Sequence, residues 1–250
     1  MDCHANFSSQ NKKTQIQIWL TCDDCYTYFD TDKSEIKKMK LKKLSGNQLK
    51  IIALISMTID HIGVQIYPQF TILRIIGRLA MPVFAYMIAE GCTHTKNRKK
   101  YLLTICLIGF LCQIVYYLAE RSLDQCIFVT FALSIMLIYI FDKKNIVLSL
   151  FALIACLYIT QAVNIDYGFF GIILPLLIYI GKTRNQKLML LTAGLVLVSL
   201  TNFSIQWYSL LSIPLIALYN GQRGTRRIKY FFYIYYPVHF VIIYLIDKCI

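Results

Sequence analysis

The 250-residue chain is 57% hydrophobic and only 16% charged, a balance that excludes an ordinary water-soluble domain and fits a chain that crosses a bilayer repeatedly. Its formal net charge is +13, but the basic residues come in short bursts between apolar runs. Such bursts flank spans on the cytoplasmic side and meet anionic headgroups, so the charge is read as membrane-related and not as nucleic-acid binding.

Residues 1–45 form a polar tail, expected to be disordered. Their best apolar run, Ile16-Gln17-Ile18-Trp19-Leu20, is too short for a span or a secretion signal. Cys22-Asp23-Asp24-Cys25 is half a zinc site with no second pair, and no metal is expected. Met39 opens Met39-Lys40-Leu41-Lys42-Lys43-Leu44 just before the first apolar run and reads as an alternative start. Mass spectrometry of the native N-terminus tests this. Residues 46–250 are expected to be one membrane domain. The cysteines in its apolar runs (Cys92, Cys106, Cys112, Cys126, Cys156) read as small hydrophobes.

The fold class expected is all-α: a polytopic bundle of nine helices, at about 49–68, 71–93, 101–119, 126–141, 145–163, 167–181, 188–204, 207–219 and 229–247. Pro82 predicts a kink in the second helix. The sixth and eighth are short and carry Pro175 and Pro214, as broken, tilted or re-entrant segments do. Lysines before the first helix place the N-terminus in the cytoplasm. Alternation then puts Lys96, Arg98, Lys99 and Lys100, Lys143 and Lys144, Lys182, Arg184 and Lys187, and Arg223, Arg226, Arg227 and Lys229 on the same side. Only Arg121 and Lys248 fall outside.

Ionisable residues inside these runs mark the candidate site, because charge in hydrocarbon costs several kcal/mol and seldom persists without a partner or a task. Asp60 and His61 adjoin, so on a helix they diverge by about 100° and each looks to another helix. His61 is the natural general base. Asp60 suits orienting a ring, pairing with an arginine or holding an amine. Arg74 and Arg78 lie four apart, on one face, with Gly77 beside them; two guanidinium forks suit a polyanion or an oxyanion, or a salt bridge between helices. Glu90 reads as a ligand or anchor in the cytoplasmic half. His239 lies near mid-depth in the last helix, at about the depth of Asp60. Asn164, Asp166, Gln206 and Trp207 read as anchors at helix ends. No phosphate-binding glycine loop, HExxH or serine elbow is present, which leaves proton transfer by His or Asp with Arg support.

Several blocks resemble the TraX family: Asp60-His61-Ile62-Gly63, Gly77-Arg78-Leu79-Ala80-Met81-Pro82-Val83-Phe84-Ala85, Glu90-Gly91 with Thr95, Asn97, Arg98, Lys99, Lys100 and Tyr101, Tyr167-Gly168, Tyr219-Asn220-Gly221-Gln222-Arg223-Gly224, and Lys229 through His239. The resemblance starts near residue 44 and leaves the polar head uncovered. The family's named member acetylates the N-terminal amine of pilin in conjugation, and the family resembles the integral-membrane acyltransferases that use acetyl-CoA. The resemblance therefore implies a multi-pass acetyltransferase of a bacterial cell membrane, moving acetyl from acetyl-CoA to a pilin-like peptide or a surface glycan or lipid, with no metal. It places His61, Asp60, Arg78 and His239 in catalysis. Arg74, Arg78, Glu90, Lys99, Asn220 and Arg223 would hold the donor. A proton-coupled transporter and a non-catalytic membrane assembly protein are the competing classes.

Overall fold

The structure is a computed structural model and describes residues 4–8, 17–22, 25–29, 36–39, 43–120, 126–201, 205–224 and 229–249. The chain divides into two units, Met1–Leu44 and Ser45–Ile250. In the first, β1 (His4–Ser8), β2 (Gln17–Cys22), β3 (Cys25–Phe29) and β4 (Ile36–Met39) pair in sequence order as an antiparallel meander. Cys22 and Cys25 are register partners where β2 meets β3; Asp23 and Asp24, the middle of the CxxC, lie outside the described residues.

The regular elements described in the second unit are helical: α1 (Gly46–Gln65), α2 (Thr71–Gly77), α3 (Ala80–His94), α4 (Arg98–Glu120), α5 (Ile127–Phe141), α6 (Ile146–Ala162), α7 (Gly168–Ile180), α8 (Arg184–Thr201), a 3-10 segment (Ile205–Leu211), α9 (Ser212–Ala217) and α10 (Lys229–Cys249). Each expected helix has a counterpart, with two differences. The second helix breaks into α2 and α3 at Arg78–Leu79, one turn ahead of Pro82. There the Arg78 and Leu79 amides make tightened bonds to Ile75 and Ile76 carbonyls, and Pro82 has no N–H to offer the Arg78 carbonyl. The eighth is divided into the 3-10 segment and α9. Among the described residues two stretches, Thr71–His94 and Arg98–Leu118, are long and apolar enough to cross a membrane.

The two ends of the second unit differ. At one end α1, α4, α6 and α8 begin, each with a side-chain cap. Ser45 and Gln48 form a capping box on α1. Asn97 accepts from the Lys100 amide, Asn145 from Leu148 and Thr183 from Gln186. Caps satisfy amides that a helix start leaves orphaned. The same end gathers the basic loops: Arg98 meets Asp142 at 2.6 Å, Lys187 meets Glu90 at 2.5 Å, and the Gly46 and Asn47 amides bond the Gln222 and Arg223 carbonyls. α2, α5 and α7 begin at the opposite end with no side-chain cap.

Fully buried residues of α1, α3, α5, α7 and α8 form the core, among them Leu49, Val83, Ile138, Leu174 and Leu195. Small residues Ala53, Ala85 and Ala89 are also completely buried, letting backbones approach where packing and not water drives association. Ser134 and Thr130 of α5 donate to the carbonyls of Ile172 and Asp166, tying α5 to the start of α7. The outer surface is apolar. On α6, Ile146, Val147, Phe151, Ile154 and Tyr158 are 65–75% exposed while Ala152 and Cys156 are buried. α10 runs beside α1 in the same direction, with Lys50 over the Phe232 ring, Thr58 bonded to the Tyr235 hydroxyl, and His61 against His239.

Candidate functional site

α1 carries Asp60 and His61 to diverging faces, and each meets a different helix. Asp60 turns to α2. A Cβ on Gly77 would overlap the Asp60 carboxyl, and one on Gly63 would press on Leu73, so the two glycines set how closely α1 and α2 lie. At that spacing Arg78 Nη2 donates to both Asp60 oxygens, at 2.8 and 2.7 Å. Arg74 Nη1 approaches Asp60 Oδ2 at 3.5 Å. The two arginines share one carboxylate, as their spacing on one face allows. Arg78 Nη1 also donates to Gln206 Oε1 of the 3-10 segment at 3.3 Å.

His61 turns to α10. Its ring centroid lies 5.2 Å from His239 and 4.4 Å from Phe240. His239 is buried, with Nδ1 3.2 Å from the Tyr235 carbonyl and its ring stacked on Tyr235. Asp60 therefore pairs with the arginines and does not orient the His61 ring, which packs against the aromatic residues of α10, as the divergence of neighbouring helix positions requires.

A cavity of about 420 Å³ joins the halves, with Asp60, His61, Arg74, Arg78, Tyr167 and Gln206 in its wall. Among the described residues, Arg78 Nε, Gln206 Nε2 and His239 Nε2 are buried without a hydrogen-bond partner. Buried unpaired polar atoms are rare and call for a reason. Arg78 and Gln206 line the cavity, so Arg78 Nε and Gln206 Nε2 offer unspent donors to whatever enters it, while His239, whose Nδ1 donates to the Tyr235 carbonyl, leaves Nε2 as an unspent acceptor. The arrangement can accept a proton at a histidine and stabilise negative charge at a guanidinium a short distance away.

The structure thus brings together His61, Asp60, Arg78, Arg74 and His239. Glu90 lies elsewhere, bound to Lys187 at 2.5 Å and near His94 at 3.4 Å. Lys99 is exposed at the start of α4. Asn220 Oδ1 accepts from the Gln222 amide within its turn, and Arg223 lines a second cavity at the basic end. None of these four lines the 420 Å³ cavity. Asp166 and Gln206, read from sequence as anchors at helix ends, belong to the cavity wall, and Gln206 is buried. The 3-10 segment lies against α2 and the α6–α7 loop closes over the same end, which turns these positions inward. A third cavity shares Tyr116, Asp166 and Tyr167 with the first. Among the described residues no group of three or more His, Cys, Asp or Glu is placed to hold a metal ion.

These features define a helical bundle of membrane character with a charged cavity toward one end and basic loops at the other. The chain belongs to the TraX family, whose profile, described as TraX protein, matches residues 45–247. It is 27% identical over 230 residues to "Probable fimbrial assembly protein FimC, serogroup H1" of Dichelobacter nodosus, covering 80% of this chain and 94% of that one. It is 34% identical over 150 residues to an uncharacterized protein of Rickettsia prowazekii (strain Madrid E), covering 57% of this chain and 58% of that one. No solved structure matches it.

Proposed function

We propose that the protein is a multi-pass membrane acetyltransferase of the bacterial cell membrane, moving acetyl from acetyl-CoA to an amine or hydroxyl. The observation that carries this reading is the single cavity lined by His61 and by Arg78, whose buried Nε has no partner among the described residues. In the proposed reaction the acceptor nitrogen or oxygen attacks the thioester carbonyl while His61 takes its proton. The tetrahedral oxyanion faces Arg78. The carbon–sulfur bond then breaks, and the leaving thiolate takes the proton back from His61, giving acetylated acceptor and free CoA. Asp60 holds Arg78 in place, and His239 positions the His61 ring. Nine spans with a cytoplasmic N-terminus agree with capped, basic helix starts at one end and with the apolar outer faces of α4, α6 and α10.

The experiment is the purified chain in detergent with labelled acetyl-CoA and two acceptors, a peptide with a free N-terminal amine and a surface oligosaccharide. His61→Ala should lower turnover about 10²–10⁴-fold. Wild-type protein that neither binds acetyl-CoA nor transfers its acetyl group overturns the reading. The Dichelobacter relative's name, a probable fimbrial assembly protein, favours a part in assembling surface filaments, and the second reading is that the protein does this without catalysing a step. Undiminished filament assembly in cells carrying His61→Ala would decide for it.

A further inference from the structure

We infer that the second cavity is the slot through which the acyl donor's arm reaches His61 from the basic end of the bundle, with Phe84 and Tyr236 as the gate between the two chambers. The inference rests on the acetyl-transfer reading and deepens it. The slot has a volume of about 110 Å³, and its wall includes Lys50, Leu54, Ile105 and Arg223. Phe84 and Tyr236 line both this cavity and the larger one, so two aromatic rings are what divide them. Tyr236 packs against Phe128 at 4.4 Å and His239 at 5.2 Å, so the partition leads directly to the histidine pair.

Size and charge select the occupant. A slot this narrow admits a linear chain and leaves a nucleotide at its mouth. The mouth is basic: Arg223 is exposed and Lys50 half-buried. Lys50 and His61 lie about eleven residues apart on α1, roughly 16 Å at about 1.5 Å per residue. The arm of coenzyme A, about twelve bonds from phosphate to sulfur, has the reach of about four extended residues, roughly 14 Å; the two side chains close the difference. An anionic head at Lys50 and Arg223 therefore sets the thioester beside His61 and Arg78 without the nucleotide entering the bundle. The third cavity, joined to the reactive one through Tyr116, Asp166 and Tyr167, leaves the opposite end to the acceptor. Donor and acceptor meet from opposite sides.

The test uses the full chain in detergent and compares acetyl-CoA with acetyl-pantetheine, which keeps the arm and lacks the phosphates. The double variant Lys50→Gln/Arg223→Gln should raise KM for acetyl-CoA about tenfold with kcat within about twofold, the pattern of lost uniform binding. Its KM for acetyl-pantetheine should stay unchanged. Leu54→Trp, which fills the slot, should lower kcat/KM for both donors; Ile105→Trp does the same from the opposite wall if the first variant fails to fold. Lys248→Gln is the control. Turnover of acetyl-CoA by wild type with donor KM unmoved in the mouth and slot variants overturns the slot alone. Absence of any acetyl-CoA binding or turnover by wild type overturns the acetyl-transfer reading and the slot with it.

Discussion

Asp60 and Arg78 form a charge pair whose side chains are 15% and 12% exposed. Removing one partner of such a pair strands a charge in poor solvent, at a cost of about 3 kcal/mol. Asp60→Asn should therefore lower the unfolding temperature in detergent, and Arg78→Gln in the same chain should recover most of the loss. If Arg78 also stabilises the oxyanion, that double variant remains about 10²–10³-fold slow in acetyl transfer despite its recovered stability. Recovery of both would make the pair purely structural. Gly77 sets the spacing of the same pair. Gly77→Ala drives a methyl into the Asp60 carboxyl, and about 1–3 kcal/mol of destabilisation is expected from such overpacking. Thermal unfolding measures it.

At the scale of elements, the break between α2 and α3 and the 3-10 segment do the positioning. Arg78 caps the end of α2, where the chain turns before Pro82, and so projects toward the 3-10 segment as well as toward α1. In that segment and at the first residue of α9, Gln206, Ser209 and Ser212 are spaced by three and all are buried. Three-residue spacing eclipses side chains in 3-10 geometry, which makes one polar face against the bundle. That spacing is visible in the sequence, and a period of 3.6 conceals it. Gln206→Leu removes the acceptor of Arg78 Nη1. It should cost about 1–3 kcal/mol by leaving that donor unpaired and should lower kcat more than it raises the acceptor KM. A KM effect alone would place Gln206 in acceptor binding.

For the whole molecule, sidedness is the property with the widest consequences. The capped starts of α1, α4, α6 and α8, and the basic loops between them, share one end with Arg223 and Lys50. The reactive cavity's Asp166 and Gln206 lie at the other. Under the proposed topology, alkaline phosphatase fused after Gln161 should be active in intact cells, and the same reporter fused after Gln222 inactive. The reverse pattern, or activity at both junctions, sinks the nine-span arrangement with a cytoplasmic N-terminus. The apolar exterior of α6 makes a second demand. A helix that exposes Ile146, Val147, Phe151 and Tyr158 so fully should aggregate when detergent is removed and disperse when it is restored, as light scattering would show.

Composition and periodicity were enough to place the helices, because an apolar stretch bounded by basic bursts has few other solutions. Chemistry was enough to nominate Asp60, His61, Arg74, Arg78 and His239, since ionisable groups in such stretches are few and expensive. Their partners were a different matter. Adjacency already sent Asp60 and His61 to different helices, and an arginine was among the partners Asp60 suited, but His239, matched in depth to Asp60, proved to face His61 instead. Glu90 and Lys99 carried suitable charge but sit away from the cavity, bound to Lys187 or exposed. Asp166 and Gln206 looked like surface anchors until the α6–α7 loop and the 3-10 segment turned them inward. Local pattern specifies each segment's form and depth, but which side chains face one another depends on how glycine contacts and helix breaks rotate and space the segments, and those are settled only when the bundle packs.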